Sequence, residues 1–535
     1  MTGKLDPFFD RHESPYLPAL PPLPPPYSSL DPTMVASSNK WASLTSLLLS
    51  LTSAVVRVSA EPIPAALEAR GVWDPTCQRI DAETSDATDV YGAGTLHYAQ
   101  GVHHWASSSS QLSDCVVEVG STADIGVVLK IVAETNTPFA VKGGGHSANA
   151  GFSSTEGVHI SLAKYSDVKY DSASKTAEIG AGLIWDDVYE KLEPYGVNVV
   201  GGRVSGVGVA GFTLGGGYSW LTNQHGLTAD NMVAYELVKP DGTVATVTAK
   251  SDPELWFGLR GGMNNFGIVT KFTMKTFPQT QVWGGLITYT FNTIDEVSAA
   301  TEKFSANVKD PKAAILTTYN FVGGQPGISL LIFYDWPTQP EGIFDEFLAI
   351  PHFTKDVNTR SFLSLVTSSP VQVTTGLRAH FQMVPVLEYT PEFLKAVVNE
   401  TNYWGTRLTL LSGAFFSFAA EPFQKDIYTH SLPNTRAYPP TGAQFFSPFN
   451  IFFGWTDPFK DDLFTGAVVQ SANALVAAAT AQGQSNLAGV PLYPNYASKS
   501  VSVEQVWGAN LPRLKALKRR VDPNNVMGLA GGFKV

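Results

Sequence analysis

Two glycine-rich runs are the part of this sequence with the clearest chemical meaning. Three consecutive glycines, Gly143 to Gly145, follow an apolar stretch and precede His146 and Ser147 directly. A second run, from Gly206 to Tyr218, contains six glycines. Because glycine has no Cβ, it adopts positive φ at little cost and lets backbone N–H groups approach an anion or a flat ring closely. The two runs together predict a site for a cofactor that carries both phosphate and a ring.

Neither run has the full context of a common phosphate-binding motif. The glycines of the first run are consecutive, and no clear order of strand, G-x-G-x-x-G, helix and later acidic residue, as in a Rossmann fold, follows. Neither run contains the Gly-Lys-Ser/Thr of a nucleoside triphosphate loop. A glycine triplet alone is also typical of a turn or linker, so the prediction depends on the two runs occurring together. We therefore expect dinucleotide binding by a different fold.

At these residues the chain resembles a known family. Val141 to Ser147, the segment Ile179 to Gly182 with Trp185, and the second glycine run resemble the FAD-binding domain of the p-cresol methylhydroxylase and vanillyl-alcohol oxidase flavoproteins. The C-terminal region is similar to the berberine-bridge-enzyme-like branch of that superfamily, in Tyr493-Pro494-Asn495-Tyr496, Trp507-Gly508-Ala509-Asn510, Arg513-Leu514, Lys518 and Val521 to Asn525. The resemblance covers roughly residues 110–280 and 490–530.

The resemblance implies an α+β flavoprotein of two domains. It places a PCMH-type FAD-binding domain at 109–280, after an N-terminal lead-in at 61–108. A substrate domain at 281–484 is expected to contain an antiparallel sheet flanked by helices, since strand patterns there alternate with helical ones. Residues 485–535 are expected to return to the FAD domain and complete it.

The resemblance also implies which residues hold FAD. The histidine after the glycine loop, His146, is expected to bond covalently to the isoalloxazine ring, since a neutral imidazole is a good nucleophile near pH 7. Related enzymes make a second bond through a cysteine just before the second run, where this chain has Val204-Ser205-Gly206, so we expect a single attachment. The other expected contacts are Lys142, Gly143, Gly144, Gly145, Ser147, Gly180, Gly182, Gly206, Gly208, Gly211, Gly267, Ile268, Val269 and Asn495.

The substrate side is less well defined. The resemblance implies an oxidase that transfers hydride from a small alcohol, sugar or secondary metabolite to the flavin and then to dioxygen, giving hydrogen peroxide. Tyr496 is the expected catalytic base, and Glu388, Tyr389 and His380 are the alternatives. A dehydrogenase or oxidative cyclase with poor oxygen reactivity, or a non-catalytic flavin-binding protein, would fit the same motifs. Eight phenylalanines could line an apolar cavity or form a strand core: Phe415, Phe416, Phe418, Phe445, Phe446, Phe449, Phe452 and Phe453.

The first sixty residues are interpreted apart from the fold. Residues 1–33 are rich in proline, which cannot occupy helix or sheet interiors, and we expect disorder or polyproline structure there. Residues 34–60 combine a modestly charged start, an apolar stretch from Ala42 to Val56 and a small residue, Ala60, at a plausible cleavage position. This is the pattern of a secretory signal peptide, which predicts an extracellular protein if translation starts at Met34.

Composition limits the number of domains and the kinds of binding partner that the chain can have. A chain of 535 residues is long enough for two domains, and its charged fraction of 16% is well below the roughly 25% of average soluble proteins. A net charge of -11 argues against nucleic-acid binding, and no metal-binding or membrane-spanning pattern is found. The two cysteines, Cys77 and Cys115, are expected to form a disulfide in an exported chain, although lone cysteines are often small buried hydrophobes. Asn399 begins a glycosylation sequon, and we expect a monomer.

Overall fold

The computed structural model describes residues 74–440 and 444–535. The leader at 1–33, the signal peptide at 34–60 and the first part of the lead-in therefore lie outside the described residues. Two helices, α1 (Pro75–Glu83) and α2 (Leu96–Val102), open the described chain. A disulfide joins Cys77 in α1 to Cys115, which confirms the expected pairing.

The first sheet has four strands in the order β1-β2-β4-β3. They are β1 (Asp89–Tyr91), β2 (Cys115–Glu118), β3 (Phe139–Lys142) and β4 (Val158–Ser161), and β2, β4 and β3 run parallel. Helix α3 (Thr122–Thr135) connects β2 to β3, and the Ser121 hydroxyl caps it by accepting a hydrogen bond from the Asp124 N–H. The first glycine run follows Lys142 directly, where β3 ends. It therefore begins the connection from β3 to the parallel strand β4.

The second sheet is antiparallel and has the order β5-β6-β10-β8-β9. Its strands are β5 (Val168–Asp171), β6 (Thr176–Gly180), β8 (Met232–Val238), β9 (Val244–Val247) and β10 (Ile268–Lys275), while β7 (Val197–Asn198) pairs with β11 (Phe277–Pro278). The Asp241-Gly242 dipeptide predicts a hairpin turn, and these residues form the turn between β8 and β9, with Gly242 at φ +82°. The helices of this region are α4 (Trp185–Leu192), α5 (Val209–Leu214), α6 (Thr222–His225) and α7 (Pro253–Leu259).

The third sheet has seven antiparallel strands in the order β15-β12-β14-β13-β17-β18-β16. They are β12 (Val282–Thr290), β13 (Ala313–Val322), β14 (Gln325–Tyr334), β15 (Thr354–Arg360), β16 (Arg378–Val386), β17 (Gly413–Ala420) and β18 (Ser447–Trp455). Helices α8 (Ile294–Asn307), α9 (Asp345–Ala349), α10 (Phe362–Thr367), α11 (Pro391–Thr409) and α12 (Asp461–Ala481) accompany it. Apolar residues of α8, α11 and α12 share one buried core with one face of the sheet.

Strand alternation divides six of the eight phenylalanines between two environments, while Phe445 and Phe446 precede β18 and pack with the other large core. Phe416, Phe418, Phe449 and Phe453 lie in the core shared with the helices. Phe415 and Phe452 point to the opposite face and line a cavity, since neighbouring residues of a strand face opposite sides. Both interpretations of this aromatic group are therefore correct, each for a different subset.

The C-terminal segment contains α13 (Val503–Trp507) and α14 (Leu511–Val521). The Trp507 indole N–H donates to the Gly261 carbonyl, 2.9 Å away, and Ala530 forms a parallel bridge with Phe139 of β3. The last residues of the chain therefore contact elements that occur several hundred positions earlier.

The sequence pattern predicts the type of these elements more accurately than their ends. It predicts helices at 185–192, 253–259 and 294–307, and the structure has helices with these bounds. It also predicts a helix at 341–349, which begins only at Asp345, and a strand from Gly285 to Phe291, which the structure places at Val282–Thr290. Within the described residues, one helix, Pro458–Ala481, is long and apolar enough to span a membrane. Its residues Phe464, Ala467, Val468, Ala472, Leu475 and Ala479 are buried in the core of the third sheet.

Candidate active site

A cavity of about 390 Å³ is lined on one side by both glycine runs and on the other by the third sheet. The two runs touch each other directly at this cavity. A Cβ added to Gly144 would lie 2.5 Å from the Gly208 Cα, and one added to Gly208 would lie 2.6 Å from the Gly144 nitrogen. Real Cβ atoms do not approach backbone so closely, so only glycine fits at both positions.

The first run presents free backbone donors. The N–H groups from Gly144 to Ser147 donate no hydrogen bond to any other residue of the described chain, although all four residues line the cavity. Successive N–H groups in such a turn form a nest that binds anions. Such a nest of N–H donors beside the cavity could bind the pyrophosphate of FAD, while the cavity itself holds the ring.

The structure brings most of the expected cofactor contacts together. The cavity is lined by Gly143, Gly144, Gly145, His146, Ser147, Gly208, Gly211, Gly267, Ile268, Val269, Asn495 and Tyr496. Its lining does not include Lys142, Gly180, Gly182 or Gly206.

These four exceptions have local structural roles. The Lys142 ammonium donates to the carbonyls of Gln100 and Gly101, and burial lowers its pKa to about 8. A Cβ at Gly180 would lie 2.2 Å from the Tyr165 carbonyl oxygen, and one at Gly182 would lie 2.0 Å from that of Leu162. Gly206 has φ +83° and donates its N–H to the Asp186 carboxylate. Close backbone packing therefore explains Gly180 and Gly182 without a cofactor contact.

His146 has the properties expected of a nucleophile. Its ring stacks on Trp105, with centroids 4.4 Å apart and an interplanar angle of 15°. Burial lowers the pKa of His146 to about 4, so the imidazole is neutral at pH 7. The Gly206 backbone lies near the ring and opposes this lowering of the pKa, but the buried Nδ1 makes no hydrogen bond of normal geometry to residues 74–440 and 444–535. A fixed, neutral ring with an unpaired nitrogen is suited to forming a covalent bond.

A second, thiol-based link is not available to this chain. Its only two cysteines are bonded to each other. At the position before the second glycine run, Val204 lines the cavity, while the Ser205 hydroxyl donates to the Asp186 carboxylate at 2.5 Å.

A buried cluster of Arg203, Glu421 and Tyr496 also lines the cavity. The Tyr496 hydroxyl donates to Glu421 Oε1 at 3.1 Å, and Arg203 Nη2 donates to the Tyr496 oxygen at 3.0 Å and to Glu421 Oε2. Arg203 precedes the second glycine run, Glu421 directly follows β17, and Tyr496 belongs to the C-terminal segment. Three distant parts of the chain thus form one hydrogen-bonded unit.

Burial dominates the electrostatics of this cluster. Glu421 is 2% exposed, and its desolvation raises the pKa of the carboxyl, while the Arg203 guanidinium opposes that rise. Burial, reinforced by Glu421, also raises the pKa of Tyr496 well above its usual value. Tyr496 is therefore a neutral hydroxyl that can relay a proton to Glu421.

The alternative bases lie outside the cavity lining. Glu388 is exposed and pairs with Lys425 at 3.1 Å. His380 bonds to the Ser498 hydroxyl at 2.7 Å, and burial lowers its pKa to about 4. The Tyr389 hydroxyl accepts the Glu421 backbone N–H at 3.0 Å, so it acts on the cluster only indirectly.

Sequence reasoning missed Arg203 and Glu421. A signal existed for Glu421, since it continues the alternation of Phe415, Ser417 and Ala419 on the cavity face of β17 and is the charged residue of that series. Arg203 had no comparable signal.

The fold and the site together define an FAD-dependent oxidoreductase, and comparisons with known proteins agree. The FAD binding domain family matches residues 113–248, and the berberine and berberine-like family matches residues 492–530. An FAD-dependent monooxygenase, drtC, of Aspergillus calidoustus is 30% identical over 85% of this chain and 89% of its own. A bifunctional solanapyrone synthase of Alternaria solani is 26% identical over 86% and 88%. The chain belongs to the berberine-bridge-enzyme-like family of FAD-linked oxidoreductases.

Solved structures of low identity share the fold. BBE-like 1 of Physcomitrella patens has a TM-score of 0.70 at 20% identity, covering 86% of this chain and 98% of its own. Glucooligosaccharide oxidase of Acremonium strictum, described with a 6-S-cysteinyl, 8α-N1-histidyl FAD, has a TM-score of 0.68 at 17% identity, with coverage of 85% and 98%. These likenesses support the two-domain α+β architecture.

Proposed function

We propose that this protein is an FAD-dependent oxidase that takes a hydride from a small hydroxylated organic substrate and passes the electrons to dioxygen, giving hydrogen peroxide. FAD is held by a single covalent bond to His146. The observation that carries this proposal is the Arg203–Glu421–Tyr496 cluster, which lines the same cavity as His146 and the glycine cradle. A non-catalytic flavin-binding protein would have no need of a buried acid–base unit at this place.

The acid–base chemistry follows from the hydrogen bonds of the cluster. When bound, FAD supplies the hydride acceptor. A tyrosine hydroxyl has one donor proton and two acceptor lone pairs. The Tyr496 proton is directed at Glu421 and one lone pair receives Arg203, which leaves one lone pair for a substrate hydroxyl. As the substrate hydroxyl gives its proton to Tyr496, Tyr496 passes its own to Glu421, so no tyrosinate is needed beforehand.

Other residues hold the reactants in place. The free N–H groups from Gly144 to Ser147 would hold the pyrophosphate. Trp105 fixes the plane of His146. Arg203 keeps the carboxyl and the phenol of the cluster at hydrogen-bonding distance and stabilises the Glu421 carboxylate before it takes up the proton.

Covalent attachment is tested by acid precipitation of the FAD-loaded protein. We expect the yellow colour to stay in the pellet, a flavin-bearing peptide that contains His146, and complete loss of pellet flavin in His146→Ala. Flavin entirely in the supernatant of the unaltered protein would reject the covalent bond.

The reaction class is tested with isotopically labelled dioxygen. An oxidase releases all the label as hydrogen peroxide and leaves the organic product unlabelled. Label in the product would instead support a monooxygenase, the activity named for the Aspergillus calidoustus relative. Product without peroxide or label would support a dehydrogenase or an oxidative cyclase.

We also propose that the protein is secreted and acts as a monomer. The Cys77–Cys115 disulfide is typical of exported proteins, and Asn399 of the sequon is exposed on α11. Expression from Met34 with a C-terminal tag tests the first point, because the proposal requires cleavage near Ala60 and tagged protein in the medium. Light scattering of the purified protein tests the second.

A further inference from the structure

The cavity face of the third sheet has a polar end and an aromatic end. Asn320 of β13 lies opposite Ser417 of β17, Ser417 lies opposite Phe452 of β18, and Phe452 lies opposite Phe381 of β16. All four residues line the cavity. One row across four strands thus runs from an amide through a hydroxyl to two aromatic rings.

The aromatic end forms a continuous surface. Phe381 and Phe452 have ring centroids 5.0 Å apart, and Trp105 lies 5.7 Å from the first and 5.6 Å from the second. Phe415 adds a further ring 6.1 Å from Phe452. Rings at these spacings present flat apolar area for a stacked or edge-on aromatic ligand.

The polar end contains an unpaired acceptor. The Asn320 amide nitrogen donates to the Ser329 hydroxyl at 2.8 Å and to the Thr318 carbonyl at 3.2 Å. Because a carbonyl can only accept, these bonds fix which end of the amide is nitrogen. The Asn320 Oδ1 is buried and has no partner within the described part of the chain, and the residue is 9% exposed. A buried acceptor without a partner is costly and favours a ligand that donates an O–H or N–H.

The two polar anchors of the cavity are well separated. Asn320 pairs with Ser417 on β17, and Glu421 follows Ser417 by four residues. With about 3.3 Å per residue along a strand and about 4.8 Å between strands, the Asn320 and Glu421 Cα atoms are about 14 Å apart. A single small ring cannot reach hydrogen-bonding groups at both ends.

We infer that the substrate is an aromatic compound of at least two fused rings that carries an alcohol group, a hydroxyl on a carbon that also bears hydrogen, at one end and an O–H or N–H donor at the other. The first hydroxyl meets Tyr496 and Glu421, the rings contact the Phe381–Phe452–Trp105 surface, and the distal donor meets Asn320 Oδ1. This inference rests on the proposed function for the place of the reacting hydroxyl. An oligosaccharide is the alternative occupant, since sugar rings also pack on aromatic side chains.

The test is equilibrium binding to the FAD-loaded protein under anaerobic conditions, followed by the change in flavin absorbance. The probes are 2,6-dihydroxynaphthalene, 2-naphthol, which has only one hydroxyl, and cellobiose. We expect the diol to bind about tenfold more tightly than 2-naphthol, the effect of one hydrogen bond to a buried acceptor. Cellobiose is expected to bind more weakly than both.

Two variants test whether the polar end and the aromatic end of the row cause the expected order of affinities. Asn320→Leu is expected to lower affinity for the diol about tenfold and to leave 2-naphthol unchanged. Phe452→Leu is expected to weaken both aromatic probes about two- to tenfold, and it decides the question if Asn320→Leu does not fold. Val322→Ala, at the exposed end of the same strand, is the matched control, since Val322 is 47% exposed and does not line the cavity.

The inference is overturned if cellobiose binds as tightly as the diol. Equal losses for the diol and 2-naphthol in Asn320→Leu, or unchanged aromatic binding in Phe452→Leu, would also overturn it. The hydroxyl-bearing carbons of the two naphthols carry no hydrogen and cannot donate a hydride, so these probes bind without turnover. A failed binding pattern therefore rejects this inference alone, whereas the labelled-dioxygen experiment tests the oxidase proposal separately.

Discussion

The two walls of the cavity are built in different ways. The cofactor wall consists largely of two short continuous segments, the glycine runs, which touch through their backbones at Gly144 and Gly208. The opposite wall is formed by single side chains from several strands of the third sheet, each separated from the next on its strand by a residue that faces the helices. Backbone shape therefore determines the first wall, and side-chain identity determines the second. Mutations in the first wall should therefore reduce flavin binding and stability, whereas mutations in the second should reduce catalysis.

The largest effect is expected from Gly144→Ala. The new Cβ would lie 2.5 Å from the Gly208 Cα, and neither backbone can move without disturbing the cradle. We expect purified protein with little or no bound flavin and an unfolding free energy lower by about 3 kcal/mol or more. Gly466→Ala, on a helix with no atom within 4 Å of the new Cβ, is the control and should keep full flavin content. Normal flavin content in Gly144→Ala would show that the contact between the runs is not required.

Glu421→Gln should leave the cofactor wall intact and stop the chemistry. The amide keeps the shape of the carboxylate but is a very poor proton acceptor, so we expect full flavin content with kcat lower by about 10²–10⁴-fold. Glu388→Gln is the matched control, because Glu388 is exposed and paired with Lys425, and it should retain full activity. Full activity in Glu421→Gln together with lost activity in Glu388→Gln would assign the carboxylate's role to Glu388, one of the alternatives that the sequence offered.

The pH dependence of activity should reflect the protonation of Glu421 in the substrate-facing wall. Burial raises the pKa of Glu421, and the proton relay requires the carboxylate. Activity should therefore fall as pH decreases through that raised pKa and reach a plateau above it. Measured kcat/KM against pH should show this acidic limb in the unaltered protein and lose it in Glu421→Gln. An acidic limb that persists in the variant would assign the titration to another group.

The smallest effect is expected at Trp105, where the two walls meet. Trp105 stacks on His146 and also contacts Phe381. Trp105→Ala should slow the formation of acid-stable flavin in apoprotein mixed with FAD by about two- to tenfold, whereas Trp105→Phe should restore most of the rate. Thermal unfolding of both variants separates a positioning effect from lost stability. Equal rates in the three proteins would remove any role of the stack in attachment.

The sequence was informative wherever function depends on local backbone. Gly143 to Ser147 and the second run identified the cofactor, because their spacing is contiguous and only glycine permits the approach they make. Two of the predicted contacts, Gly180 and Gly182, do not line the cavity. Gly180 and Gly182 are glycines because the carbonyls of Tyr165 and Leu162 lie too close for a Cβ, which no sequence pattern distinguishes from a cofactor contact.

The hydrogen-bond partners of Tyr496, the proposed base, could not be predicted from the sequence. Tyr496 was identified from the C-terminal motif, but its partners Arg203 and Glu421 lie 293 and 75 residues away. Glu388 was an equally reasonable carboxylate in sequence, and the structure places it at the surface beside Lys425. Pairing of this kind depends on how β17 and the segment before the second glycine run meet the tail, which is a long-range result of packing.

By itself, the sequence determined the family, the cofactor and the absence of a thiol for a second link, and it predicted that His146 holds the flavin, because each depends on residue type at adjacent or fixed positions. It also predicted the Cys77–Cys115 disulfide, which the structure contains. The tertiary structure alone decided which carboxylate meets Tyr496, which phenylalanines face the cavity and which amide oxygen is left without a partner. These features depend on strand register and burial, since a shift of one residue would turn every side chain of a strand to the other face.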